Sequence, residues 1–175
     1  MLKFMYSIGM GIVTGLIASV AFQTINYLSK PKIKISEEIS KKENPDTKET
    51  EYRFKIVNKS KHYVKNVKVF LEVVTRDNGS GGAILSTKPI QVLRRDVSFI
   101  EPFDKNDKEA PYAIRFRIDG DLDKIWVEDN KSYLRLRFYC ESEFNGTGKL
   151  FTQDYSKKTS IKEGEFKFGE SCEIV

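Results

Sequence analysis

Two short stretches repeat an arginine motif, Ile114-Arg115-Phe116-Arg117-Ile118 and Leu134-Arg135-Leu136-Arg137-Phe138. In an extended chain successive side chains point to opposite faces, so each stretch sets two guanidinium groups on one face against apolar groups on the other. Guanidinium is planar, always charged, and forks onto carboxylates and phosphates. With their outer faces adjacent, Arg115, Arg117, Arg135 and Arg137 would form a patch suited to a phosphate-bearing small ligand. The bland account is that Arg solubilises an exposed strand face.

Other chemistry is sparse. Asp119-Gly120-Asp121-Leu122-Asp123 has the acidic spacing of a calcium loop. An EF-hand needs Gly at its sixth place and Glu at its twelfth, where this chain has Lys124 and Asn130, so the stretch reads as a solvated turn and no metal site is expected. The one histidine, His62, and two cysteines, Cys140 and Cys172, cannot make a zinc site by themselves. With no second His, the commonest acid–base and nucleophile-activating arrangements are missing. The expectation is a non-enzyme without a cofactor.

Charge narrows the partners. The 175-residue chain carries a net charge of +5. Lys3 and Lys30 flank an apolar segment, so the rest of the chain has a smaller excess still. A nucleic-acid binder shows a stronger, more clustered basic surplus, and nucleic acid is not the expected partner.

The elements that must position these residues begin with an anchor. Phe4 to Ser29 is an uncharged run of 26 residues. At about 1.5 Å rise per residue it exceeds the roughly 30 Å of a bilayer's hydrocarbon core, which predicts one transmembrane helix over residues 1–30. Ser19-Val20-Ala21 also resembles a signal-peptide cleavage site, but the uncharged run continues well past it. Ser7, Gly11, Gly15 and Ser19 recur every fourth residue, a row of small side chains that lets membrane helices approach closely and predicts a homo-oligomer. Lys30, Lys32, Lys34, Lys41 and Lys42 follow the span while Lys3 alone precedes it. By the positive-inside rule the rest of the chain faces the cytoplasm at an inner membrane.

Pro31 stops the helix. Residues 31–175 then form one domain in which the hydrophobic period is two almost throughout. Ile33 and Ile35 alternate first, and Lys41–Thr50 reads as a loop. Tyr52, Phe54 and Ile56 follow, then Val67, Val69, Leu71 and Val73. Asp77–Gly82 is the strongest turn signal. Ala83–Leu85 and Pro89–Leu93 read as short edge strands, Val97–Ile100 and Ile125–Val127 as short pieces. Leu134, Leu136, Phe138 and Cys140 make another inward row, and Asn145–Gly148 a second hairpin turn, followed by Leu150–Tyr155 and Phe166–Phe168. No useful helical period appears after residue 30. Asn58, Asn78, Asn130 and Asn145 each open an Asn-x-Ser/Thr triplet. These are glycan acceptors only in a glycosylating pathway, and otherwise turn residues.

Eight to ten short strands with one apolar face predict an all-β fold, an antiparallel sandwich or small barrel. The stretch YRFKIVNKSKHYVKNVKVFLEVV resembles the second and third strands of immunoglobulin-like and fibronectin-III-like sandwiches, and Tyr133 stands where a corner tyrosine would. That resemblance implies a scaffold with no particular ligand. It also implies that the two arginine strands fall in opposite sheets, which would split the patch.

The expected function is a non-enzymatic single-pass membrane protein. Its domain binds a protein or small ligand at the inner membrane surface and its helix self-associates. Small membrane-anchored β-domains of this look are similar to bacterial anti-phage effectors, which implies clustering that perturbs the bilayer. The alternative is an outward-facing envelope or adhesion subunit with a Cys140–Cys172 bridge.

Overall fold

The computed structural model describes every residue except Met1, Ser80, Gly81, Glu128 and Asn130. The uncharged run becomes α1, Leu2–Leu28. Its segment Gly9–Leu28, with mean hydropathy 1.4, is long and apolar enough to cross a membrane, and none of it is buried by the rest of the chain. Its two threonine hydroxyls bond within the helix: Thr14 Oγ1 donates to the Met10 carbonyl at 2.7 Å and Thr24 Oγ1 to that of Val20 at 2.8 Å.

The strands are β1 (Ile33–Ile35), β2 (Ile39–Glu43), β3 (Thr50–Asn58), β4 (Val64–Gly79), β5 (Gly82–Ile90), β6 (Asp96–Ile100), β7 (Ala113–Ile118), β8 (Ser132–Ser142), β9 (Gly148–Tyr155) and β10 (Ile161–Glu163). They form two separate sheets, not a barrel. In the first, β7 pairs one edge of β3 along Tyr52–Val57, and β1 and β2 share the other edge. In the second, β8 runs along one edge of β4, β5 and β6 share the other, and β9 pairs β8.

Several expectations need correction. One pair is parallel: β10 adds to β2 with Ile161 opposite Ile39. β2 extends into the stretch read as a loop. Ala83–Leu85 and Pro89–Leu93 are not two strands. Residues 82–90 form one edge strand, where a proline without an N–H is tolerated. Pairing in the β4–β5 hairpin continues to Gly79 opposite Gly82, so the turn is tighter than Asp77–Gly82; Ser80 and Gly81 lie outside the described residues. Ile125–Val127 is not a strand piece, because Leu122–Ile125 is a single helical turn, α2, capped by the Asp121 carboxylate accepting from the Asp123 N–H at 3.1 Å.

One hydrophobic cluster joins the inner faces of both sheets. From the first sheet, Phe54 and Phe116 stack at 5.4 Å. From the second, Val69 and Leu71 meet Leu134, Leu136 and Phe138, while Trp126 and Leu122 of the α2 segment are fully buried in the same cluster. β8 alternates buried and half-buried residues along its whole length, as its sequence period requires.

The two outer faces differ. Over the first sheet lies the C-terminal segment, residues 164–175, folded back on itself by paired backbone bonds between Glu165 and Val175. Gly164 makes the turn at φ 120°, a left-handed conformation, and any side chain there would strike the Val175 carbonyl. This strap is pinned from below by Lys55, only 1 % exposed, whose ammonium donates to the carbonyls of Lys167 (2.6 Å) and Ser171 (2.8 Å). Cys172 packs beside Val57 and Tyr112 in a small second cluster. Among the described residues nothing comparable covers the second sheet.

Candidate functional site: the open face of the second sheet

The outward positions of β4, β8 and β9 alternate with core residues, so strand period alone determines which side chains are displayed. Phe70 on β4 is 41 % exposed and Leu150 on β9 is 54 % exposed. Two open depressions, of about 730 and 720 Å³, meet at these two residues. Arg95 stacks over the Phe70 ring at 5.5 Å. At one end of the face Asn66 takes a left-handed φ of 51°, where the β4–β8 register shifts between Lys65 and Lys68. The bulge places the Asn66 side-chain amide 2.8 Å from Glu141, which also accepts from Tyr139 at 3.0 Å. These two donors, the Asn66 amide foremost, hold the Glu141 carboxyl below its usual range.

The face carries two of the arginines. Arg135 sits directly across from Asp154 on β9 and forks onto it, Nε and Nη2 each 2.8 Å from a carboxylate oxygen, with its guanidinium over the Tyr133 ring at 5.1 Å. That pair raises the Arg135 pKa further. Arg137 is 2.6 Å from Glu72 on β4. Tyr133 points outward with them, unlike a corner tyrosine packed inward.

The other two arginines lie on the first sheet, since β7 pairs β3. Arg115 donates to the Phe166 carbonyl of the strap at 2.7 Å, and Arg117 is 2.7 Å from Glu51. The four guanidinium groups therefore do not come together, and each is engaged by a carboxylate or carbonyl. The physical reason is topological: two strands with the same motif belong to different sheets. The open face offers an apolar centre with compensated charges around it, not an unoccupied anion cradle.

In α1, Gly11, Gly15 and Ser19 are exposed, and a side chain added at either glycine would meet nothing within 4 Å. The Ser7 side chain lies outside the described residues. The row is continuous and unpacked over its described part.

The acidic loop is occupied by its own chain. Asp123 is 2.7 Å from Lys41, Asp121 is 3.1 Å from Lys124, and the Tyr52 hydroxyl donates to Asp123 at 2.9 Å. Among the described residues no group of three or more His, Cys, Asp or Glu is placed to hold a metal ion. Both cysteines are free, Cys140 buried between the sheets and Cys172 on the strap itself, facing Val57 and Tyr112.

Two of the asparagines have structural partners that sequence reading missed. Asn58 is fully buried, its amide donating to the Glu101 carbonyl at 2.7 Å and that of His62 at 3.1 Å. Asn145, in the β8–β9 turn, donates to Asn26 of α1 at 3.1 Å. Asn130 lies outside the described residues, as does the side chain of Asn78. Signals for both contacts were absent from local sequence, because the partners are distant in the chain. No protein-family model and no curated protein sequence matches the chain.

Proposed function

We propose that this chain is a non-enzymatic, single-pass membrane protein. Its domain recognises a protein partner through the open face of the second sheet, and its helix self-associates along Ser7, Gly11, Gly15 and Ser19. The observation that carries the reading is the asymmetry of the outer faces: one is covered by the strap, and the other displays Phe70 and Leu150 beside the Arg135–Asp154 and Arg137–Glu72 pairs. An apolar centre flanked by ion-paired side chains is the anatomy of a protein interface. A phosphate-bearing ligand would have to displace Asp154 or Glu72 from its arginine, which makes it the weaker reading.

The order of pairing supports an immunoglobulin-like assignment for the domain. β3 lies between β2 and β7, and β4 between β5 and β8 with β9 outside, as the second, third and penultimate strands of such sandwiches do. The lysine excess after α1 supports a cytoplasmic domain at an inner membrane, and two free thiols suit a reducing compartment. The sharper form of the proposal is an effector of bacterial defence, in which partner binding clusters the helices and perturbs the bilayer.

A photo-crosslinking amino acid at Phe70 in intact cells tests the partner face. A discrete protein adduct supports the proposal; adducts confined to lipid, or none, overturn it. Labelling of Cys172 by a membrane-impermeant thiol reagent in intact cells would instead support the outward-facing envelope or adhesion subunit.

A further inference from the structure

We propose that the end of the domain from which α1 emerges is a membrane-docking surface, with Tyr63, Phe99 and Phe144 seated at headgroup depth in the leaflet that α1 enters. The proposal rests on the reading of α1 as a span. It adds a second, peripheral mode of membrane contact made by the β-domain itself.

The geometry begins with Asn26, which belongs to the apolar segment Gly9–Leu28 yet accepts a hydrogen bond from Asn145 of the β8–β9 turn. Asn26 precedes the end of α1 by two residues, about 3 Å along the helix axis. A turn that reaches Asn26 therefore lies at the depth of the span's last turn. Phe144, the neighbour of Asn145, is 58 % exposed at that level.

Phe144 is part of a group. It stacks with His62 at 5.4 Å, and Tyr63 meets Phe99 edge-on at 6.1 Å. The two ring pairs are joined by the Glu143 N–H donating to the Tyr63 carbonyl at 3.2 Å. Phe99 is 57 % and Tyr63 39 % exposed. Large apolar rings left in water in one cluster mark an interaction surface. Aromatic rings beside a membrane helix match the belt that residues of this type form at the lipid–water boundary.

Continuity with the span decides the occupant. Tyr27 and Leu28, both exposed, carry the apolar surface up the last turn of α1, and the Lys30 ammonium lies 4.9 Å from the Tyr27 ring centre. Only four residues separate α1 from β1. Within them Ser29 and Pro31 are buried, and Lys32 is held on both sides, its N–H to Ser60 Oγ at 2.8 Å and its carbonyl by the Lys59 N–H at 2.7 Å. The connection cannot lift this end away from the bilayer. Lys65 shares a depression with Tyr63 and Phe99, with Glu101 and Glu143 beside it, so the rings and not a charge surplus carry the docking.

The test uses the full chain in phosphatidylcholine vesicles containing a minority of phosphatidylglycerol. In a Cys172→Ser background, spin labels go to Phe99→Cys and Phe144→Cys, with Ile17→Cys in the span and Leu85→Cys at the far end of the domain as references. Cys140 is fully buried and its thiol is pushed up to about 12, so it stays unlabelled. Depth is read from relaxation by oxygen against a water-soluble nickel reagent. At residues 99 and 144 the nickel effect is expected to be several-fold weaker than at 85, with oxygen access retained. Nickel access at 99 and 144 equal to that at 85, with 17 deep in lipid, overturns docking and leaves the span intact. Nickel access at 17 overturns the span itself. Protection of 99 and 144 from both reagents means protein, such as a second copy, covers the rings, and also overturns the proposal.

Discussion

The Asn145 side-chain amide donates to the Asn26 side-chain oxygen across 3.1 Å, linking the β8–β9 turn to the last turn of the helix. It is the one side-chain hydrogen bond described between α1 and the strand-bearing part of the chain, and it joins residues 119 positions apart. With the connection anchored by buried Ser29 and Pro31 it gives the helix two attachments to the domain. Asn145→Ala is expected to broaden the distance distribution between spin labels on α1 and β5, while stability falls by no more than about 1 kcal/mol, the net worth of one such bond. An unchanged distribution would show that the connection alone sets the angle.

A second expectation concerns Glu51, which is 5 % exposed and accepts from Asn44 at 2.7 Å while pairing with Arg53 (2.5 Å) and Arg117 (2.7 Å). The Asn44 bond first, then the two guanidinium groups, hold its carboxyl below the usual 4.5 despite burial. A depressed carboxylate contributes stability that is present above its unfolded value and lost as pH falls through the folded one. Glu51→Gln should cost on the order of 1–3 kcal/mol at neutral pH by leaving both arginines short of a partner. In urea melts of the detergent-solubilised chain, the gap between wild type and variant should close as pH drops below 4.5.

Lys55 carries the opposite sign. Burial first, then the neighbouring Arg115, pulls its ammonium down from 10.5 to about 8. Above that pH the folded chain has released a proton that the unfolded chain retains up to about 10.5, so stability rises with pH across this window. Against Lys55→Met, wild type should therefore gain as pH moves from 8 to 10. The same variant leaves the Lys167 and Ser171 carbonyls without their donor, and should expose residues 164–175 to limited proteolysis. A strap that stays protease-resistant in Lys55→Met would mean that Arg115 and the Lys59–Glu170 pair suffice to hold it.

The small-residue row makes a separate prediction. Because nothing lies near Gly11 or Gly15 within the chain, Gly11→Leu with Gly15→Leu should leave the melting of the domain unchanged and abolish crosslinked oligomers in membranes. Crosslinking at wild-type yield would remove this face from the assembly.

Much of this molecule could be read from period and punctuation. Leu134, Leu136, Phe138 and Cys140 sit inward as their spacing requires, and the uncharged run forms a single helix ending before Pro31. What escaped reading depended on distant partners or on pieces too short to show a period. α2 has four residues and therefore no repeat, and β10 exists only because Ile161 meets Ile39 across the chain. Lys55 alternates like a solvent-facing residue, and only the returning C-terminal segment buries it. The arginine motif was visible in full, but adjacency in a motif says nothing about which sheet a strand joins. Phe70 and Leu150 belong to strands read correctly, but which outer face stays uncovered depends on where residues 164–175 fold.

The stiffness of Ser29–Lys32 has a geometric corollary. An α-helix turns about 100° per residue. With the chain held at Lys32 by Ser60 and Lys59 and at Asn26 by Asn145, the compass bearing of Gly11 and Gly15 is set relative to that of Phe70. Two copies meeting along the glycine row would point their open faces in one defined pair of directions, and deleting a single residue within α1 would turn that bearing by about 100° while hardly changing the span's hydrophobicity. The phase of the helix, as much as its length, is thus a property this chain encodes.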